Sequence, residues 1–159
     1  ELDLSSDDVD DASLESLHGL RLRALDLNYT KIGDTGASHL TALKELRRLS
    51  LVRTRITDKG IESLSGLVLL EFLNLDYTKV TDAALGVLKG LPALTELRLD
   101  SAGITDGGVA TMSQMRSLRR LNLYHTLVTE PAHQRLQQAL PSCRIVWDRD
   151  SSLPIRRGA

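Results

Sequence analysis

Five segments of this chain line up column by column. They begin at Leu22, Leu46, Leu70, Leu94 and Leu118, each 24 residues after the one before. Leu25, Leu49, Leu73, Leu97 and Leu121 share the next column, and Leu27, Leu51, Leu75, Leu99 and Leu123 the one after. Then come Thr30, Thr54, Thr78, Ala102 and Thr126, followed by Ile32, Ile56, Val80, Ile104 and Val128. An acid follows in every copy: Asp34, Asp58, Asp82, Asp106 and Glu130. Leu40, Leu64, Leu88, Met112 and Leu136 complete the unit. An earlier copy, Leu2 to Leu20, fits with one residue fewer in its connection. A period of this length means tandem units, none of which can bury its leucines alone.

Local chemistry gives each unit the same shape. Leu25 and Leu27 alternate with Ala24, Asp26 and Asn28, the period of a strand with one buried face. The acid after Ile or Val stands where a helix begins, and a carboxylate there is expected to accept the unpaired amide hydrogens of the first turn. Pro131 after Glu130 agrees, because proline is tolerated in the first helical turn. Ala37, Leu40, Leu43 and Ile61, Leu64, Leu67 then form short helical stripes facing the strands. Each unit therefore reads strand, turn, short helix. The threonine column is expected to point inward and to bond backbone groups of the turns.

The run Leu-x-x-Leu-x-Leu-x-x-Thr-x-Ile-Thr-Asp-x-Gly from Leu46 to Gly60 resembles the leucine-rich repeat family. The subtype it looks most like is the ribonuclease-inhibitor-like or cysteine-containing one, found in bacterial proteins and in F-box adaptors. The family's usual Asn or Cys after the strand is Thr here, or Ala102 in one copy. The resemblance covers roughly residues 1–148. It implies an α/β fold: a leucine-rich repeat solenoid, a right-handed superhelix with a curved parallel sheet on the concave face and short helices on the convex face. It also implies a noncatalytic scaffold or adaptor that binds a protein partner.

The ends differ from the repeats. Cys143, Ile145 and Trp147 alternate after Pro141, as in a last strand that turns all three inward and closes the core with the indole. Asp148-Arg149-Asp150 follows with charge that discourages edge pairing. Residues 149–159 read as a flexible tail. The N-terminus carries no comparable closing device, which reads as a fragment or a covered end.

Composition narrows the function. Lys+Arg 20 against Asp+Glu 21 gives a net charge of -1, and aromatic residues are 3%, so neither nucleic-acid capture nor an anionic membrane is expected. No apolar run approaches the roughly 18 residues of a membrane span. One cysteine excludes an intrachain disulfide framework and any zinc site on paired thiolates. His18, His39, His125 and His133 occupy different columns, so no metal or other cofactor is expected. Asp7-Asp8-Val9-Asp10-Asp11 lacks the glycine and distal Glu of a helix-loop-helix calcium loop. His133 sits in a helix column filled elsewhere by Ala37, Ile61, Leu85 and Val109, as a half-buried packing residue would. No nucleophile has an adjacent base. A monomer without enzymatic activity is the expectation.

What remains is the outward side of the strands. One column reads Ala24, Arg48, Phe72, Glu96, Arg120, and the next Asp26, Ser50, Asn74, Arg98, Asn122. A third reads Asn28, Val52, Asp76, Asp100, Tyr124, and just beyond the strands come Tyr29, Arg53, Tyr77, Ser101, His125. The inward columns are nearly constant, whereas these vary. Packing fixes the first set and leaves the second free to specialise. Seven strands about 4.8 Å apart make a face about 30 Å across, enough for one protein partner. Phe72, Tyr77 and Tyr124 are the expected exposed anchors, with Arg48, Arg53, Arg98 and Arg120 as charged contacts. The alternative is a structural repeat segment of a larger protein whose own surface binds nothing.

Overall fold

The computed structural model describes residues 1–6 and 8–152. Seven short strands form one parallel sheet in chain order: β1 Leu2–Asp3, β2 Ala24–Asp26, β3 Arg48–Ser50, β4 Phe72–Asn74, β5 Glu96–Arg98, β6 Arg120–Asn122 and β7 Arg144–Val146. The register stacks like on like. Leu2, Leu25, Leu49, Leu73, Leu97, Leu121 and Ile145 are successive partners. Each strand returns to the sheet through helical turns: α1 Asp34–Leu40, α2 Asp58–Glu62, α3 Leu85–Lys89, α4 Val109–Met112 and α5 Glu130–Ala139, with 3-10 turns at Ala12–Leu17, Ser63–Gly66, Asp82–Ala84, Asp106–Gly108 and Arg149–Ser152. The sheet does not close, and each coil packs mainly on its neighbours.

The core is an aliphatic spine. Leu27, Leu51, Leu75, Leu99 and Leu123 are fully buried, as are Leu40, Leu64, Leu88, Met112 and Leu136 from the helical side. The threonines do what the sequence leads one to expect. Thr30, Thr54, Thr78 and Thr126 are buried, and each hydroxyl donates to the carbonyl of Leu27, Leu51, Leu75 or Leu123 at 2.7–2.8 Å.

The acid column acts differently from the expectation. The helix-capping side chain is the residue before it: Thr57, Thr81 and Thr105 accept the amides of Lys59, Ala83 and Gly107. The carboxylates of Asp34, Asp58, Asp82 and Asp106 reach instead across to the next coil. Each accepts both the amide and the hydroxyl of that coil's threonine, at Thr57, Thr81, Thr105 and Thr129. Asp11 starts the ladder by accepting the Gly33 amide at 2.6 Å. An α-carbon without a side chain leaves room for this reach. A Cβ at Gly36 would stand 2.5 Å from Asp11 Oδ1, and one at Gly60 2.5 Å from Asp34 Oδ1.

A second device was not visible in the repeat pattern. Ser6, Tyr29, Arg53, Tyr77, Ser101 and His125 all have positive φ, between 51° and 62°. They occupy one column, where the chain leaves the sheet. The amides of the first five donate to the neighbouring coil, as Tyr29 does to Val52 at 2.8 Å and Tyr77 to Asp100 at 2.8 Å. The pairing holds a left-handed bend that side-chain-bearing residues resist. A β-branched residue should resist it most. Ser101→Val is expected to cost about 1–2 kcal/mol in urea unfolding, whereas Ser101→Asn should change stability by less than about 0.5 kcal/mol.

At the C-terminal end β7 pairs with β6 as the last strand of the sheet. Cys143 is buried, and Ile145 and Trp147 pack part-buried on the core. Trp147 Nε1 donates to the Val128 carbonyl at 2.8 Å. His133 stacks on the indole, with centroids 4.6 Å apart and planes 8° from parallel. Burial pushes the His133 pKa below its ordinary 6.5, and the Glu130 carboxylate restores part of the loss. The folded state therefore holds this proton less tightly than the unfolded chain. Its contribution is complete above 6.5 and is lost as pH falls from 6.5 through the lower folded value. The urea midpoint should fall over that window, and replacing His133 by Leu should remove that component of the pH dependence. At the start of the segment expected as a tail, Arg149–Ser152 form a turn with Ser151 buried. Its remainder, 153–159, lies outside the described residues.

The sheet face as a candidate binding surface

Every unit contributes the same outward positions, because alternation along a strand puts residues two apart on one face. On this face the structure joins side chains 22 to 25 residues apart in sequence. The Arg48 guanidinium covers the Phe72 ring at 4.2 Å, so Phe72 is half-buried and not the open anchor expected. Arg120 bonds Glu96, and Arg47 beside the face bonds Glu71. Arg98 Nε donates to Asp76 at 3.0 Å, and His125 Nδ1 lies 3.2 Å from Asp100. Tyr124 and His125 rings meet at 3.9 Å.

Two expected contact residues are withdrawn from the surface. Asn74 and Asp76 are 8% and 4% exposed. Asn74 Oδ1 accepts the Asp76 amide at 3.0 Å, while Asp76 accepts the Asp100 amide at 2.8 Å. Both side chains thus serve amides at the sheet's upper edge. Burial pushes the Asp76 carboxyl above its ordinary pKa, against the pull of the Asp100 amide and Arg98. Asn28 and Asn122 act alike, Asn28 Oδ1 accepting from the Val52 amide at 2.7 Å and Asn122 Oδ1 from the Tyr124 amide at 3.0 Å. The repeated Asx residues one and three places before the bend were the sequence signal for this role.

The accessible part of the face is therefore narrower than the sequence columns suggest. Arg48, Arg120, Arg53 and His125 are exposed, and Tyr29, Tyr77 and Tyr124 are 58%, 44% and 37% exposed. Val52, Glu96, Arg98, Asp100 and Asn122 are half-buried. Two open depressions lie on this side. One of about 280 Å³ runs over β5–β7 between Arg98, Arg120, Arg144 and Val146. The other, about 230 Å³, runs over β1–β4 between Asp3, Asp26, Arg48 and Phe72.

Elsewhere, acids of the run near the N-terminus have structural partners. Asp8 pairs with Lys31 at 2.6 Å, Asp10 accepts the Ser13 hydroxyl at 2.7 Å, and Asp11 belongs to the ladder. Asp7, the other acid of that run, lies outside the described residues. Burial pushes the Cys143 thiol up, partly countered by Arg119, which leaves it a poor nucleophile at neutral pH. Among the described residues, no group of three His, Cys, Asp or Glu side chains could hold a metal ion. No helix there is long and apolar enough to cross a membrane.

An open α/β solenoid whose coils share a leucine core and whose strands line one broad face defines a repeat protein. The leucine rich repeat family matches residues 20–80 and 91–113, and the chain is a leucine-rich repeat protein. Among solved structures it is similar to an internalin from Listeria monocytogenes. That match has a TM-score of 0.73 and 22% identity, and covers 91% of this chain and 46% of the other. It is also similar to internalin C2 from the same organism, with a TM-score of 0.70 and 26% identity over 84% of this chain and 55% of that one. The chain thus spans about half the length of those structures. No curated protein matches the sequence.

Proposed function

We propose that the protein is a noncatalytic recognition module that binds a protein partner through the concave sheet face. Repeat solenoids present extended surfaces of this kind, and leucine-rich repeat domains generally serve protein–protein interaction. The observation that carries the reading is the contrast between columns. Inward positions repeat Leu almost without change, whereas the outward ones hold Arg48 on Phe72 and Arg53 beside Tyr29 and Tyr77. Tyr and Arg are the types that dominate binding hot spots. The subtype proposed is the ribonuclease-inhibitor-like or cysteine-containing one, with a 24-residue unit.

The test uses a photo-crosslinking residue in place of Val52, in the middle of the face. Irradiation in extract of the source cells should join the protein to one partner. Arg48→Ala with Phe72→Ala should cut the yield at least about tenfold, as loss of a hot spot does. The melting temperature should move by only a few degrees. Arg98 is left in place because its removal would strip a buried carboxylate of its cation. Equal yield from a crosslinker at Ser38, on the helical side, would overturn the reading.

A further inference from the structure

The arginines on this face fall into two kinds. Arg98 and Arg120 are committed to Asp76 and Glu96. Arg53 has no acid and makes no hydrogen bond through its guanidinium among the described residues. Its company is aromatic instead: the guanidinium carbon lies 4.8 Å from the Tyr77 ring centroid and 5.9 Å from that of Tyr29. These three residues come from consecutive coils and all stand at the left-handed bend, with φ of 60°, 53° and 60°. Their amides are pinned to Val52, Asp76 and Asp100. The backbone thus fixes the direction in which each side chain leaves the rim. Rings over the faces of a guanidinium stabilise its charge and leave the N–H edges open. An open, preorganised edge is the donor fork that matches a carboxylate with two parallel hydrogen bonds.

The surroundings decide how much negative charge such a site tolerates. Along the rim the other members are Ser6, Ser101 and His125, and His125 already sits on Asp100. The adjoining columns carry Asp26, Asp76 and Asp100. A polyanion would meet those acids, whereas a single carboxylate would not. We propose that Tyr29, Arg53 and Tyr77 form a clamp for one Asp or Glu side chain of a partner protein segment, with neutral or apolar residues on either side lying against the two tyrosine rings. The proposal rests on the reading of this face as a protein-binding surface and names the chemistry that surface selects.

The experiment is an NMR titration of the whole chain with the peptide acetyl-Ala-Leu-Glu-Leu-Ala-amide at millimolar concentrations. The Arg53 Nε–H signal and the Tyr29 and Tyr77 ring signals should shift together and saturate. The same peptide with Gln for Glu should bind at least about fivefold more weakly, as expected when a charge-assisted pair is replaced by a neutral one. Arg53→Lys should weaken the Glu peptide by a similar factor, because Lys keeps the charge and loses the fork. Arg135→Lys, exposed on α5 on the helical side, should not. Equal binding by the Gln peptide overturns the clamp, as do shifts confined to other arginines or tighter binding by a phosphoserine peptide or an RNA oligonucleotide. The peptide comparison on the unaltered protein decides the matter even where a variant folds poorly. A photo-crosslinked partner that is lost with Arg48 and Phe72 but retained by Arg53→Lys sinks the clamp alone. Absence of any partner, with a responsive Arg53, sinks the wider reading.

Discussion

Leu75→Asp should leave the chain without a cooperative unfolding transition at 25 °C. Leu75 is fully buried, with Leu51 and Leu99 holding the same position in the coils on either side. The substitution forfeits about 1.5–3 kcal/mol of burial and adds an unpaired buried carboxylate worth several kcal/mol more. Domains are typically stable by only about 5–15 kcal/mol. Because coils are stabilised by their neighbours, the loss should spread beyond one unit. Circular dichroism in urea measures it. Leu75→Ala, which leaves a cavity but no charge, should retain a transition and lose about 2–5 kcal/mol. Val68→Asp, at a site 52% exposed, should change stability by less than about 0.5 kcal/mol. A Leu75→Asp protein with an unaltered urea midpoint would refute the shared core.

Asp34→Ala should be the most damaging polar substitution in the ladder. The carboxylate accepts three bonds from the next coil: the Thr57 amide at 2.8 Å, the Thr57 hydroxyl at 2.7 Å and the Gly60 amide at 3.0 Å. Alanine leaves all three donors without their acceptor. Part-buried unsatisfied donors cost about 1–3 kcal/mol each, and charged acceptors give the stronger bonds. A total near 2–4 kcal/mol is expected, since water can reach part of the site. Hydrogen exchange should locate it, with faster exchange at the Thr57 and Gly60 amides than at the Leu51 amide. Asp34→Asn retains one acceptor oxygen and should fall between. Unchanged exchange at Thr57 and Gly60 would show that the ladder carries no stability.

The regular part of the fold could be read from residue types alone. Leucines two apart specify a strand with one inward face, and the inward set Leu40, Leu64 and Leu88 specifies the side that covers it. Their side chains have no polar option, so burial dictates their positions whatever surrounds them. The threonine hydroxyls followed for the same reason: a buried hydroxyl must find an acceptor, and the turn carbonyls were nearest.

The site was only partly legible. Sequence columns showed which residues face outward but not which would bond to one another across coils. Phe72 was expected open and lies under Arg48, because a ring and a guanidinium two dozen residues apart become strand neighbours. Asn74 and Asp76 belonged to variable columns, yet amides at the sheet edge draw them in. The acids were placed at helix starts correctly and assigned the wrong amides. A carboxylate can satisfy its own turn or the next coil's, and only the spacing between coils chooses.

The sequence by itself determined the repeating unit, its buried leucine columns and the direction of its outward residues, because alternation and helical spacing are local and apolar burial is indifferent to the partner. The tertiary structure alone decided the Asp–Thr ladder, the left-handed rim and the placing of Arg53 beside Tyr29 and Tyr77. Those depend on distances between coils, and polar bonds, unlike hydrophobic burial, are made or lost within a few tenths of an ångström.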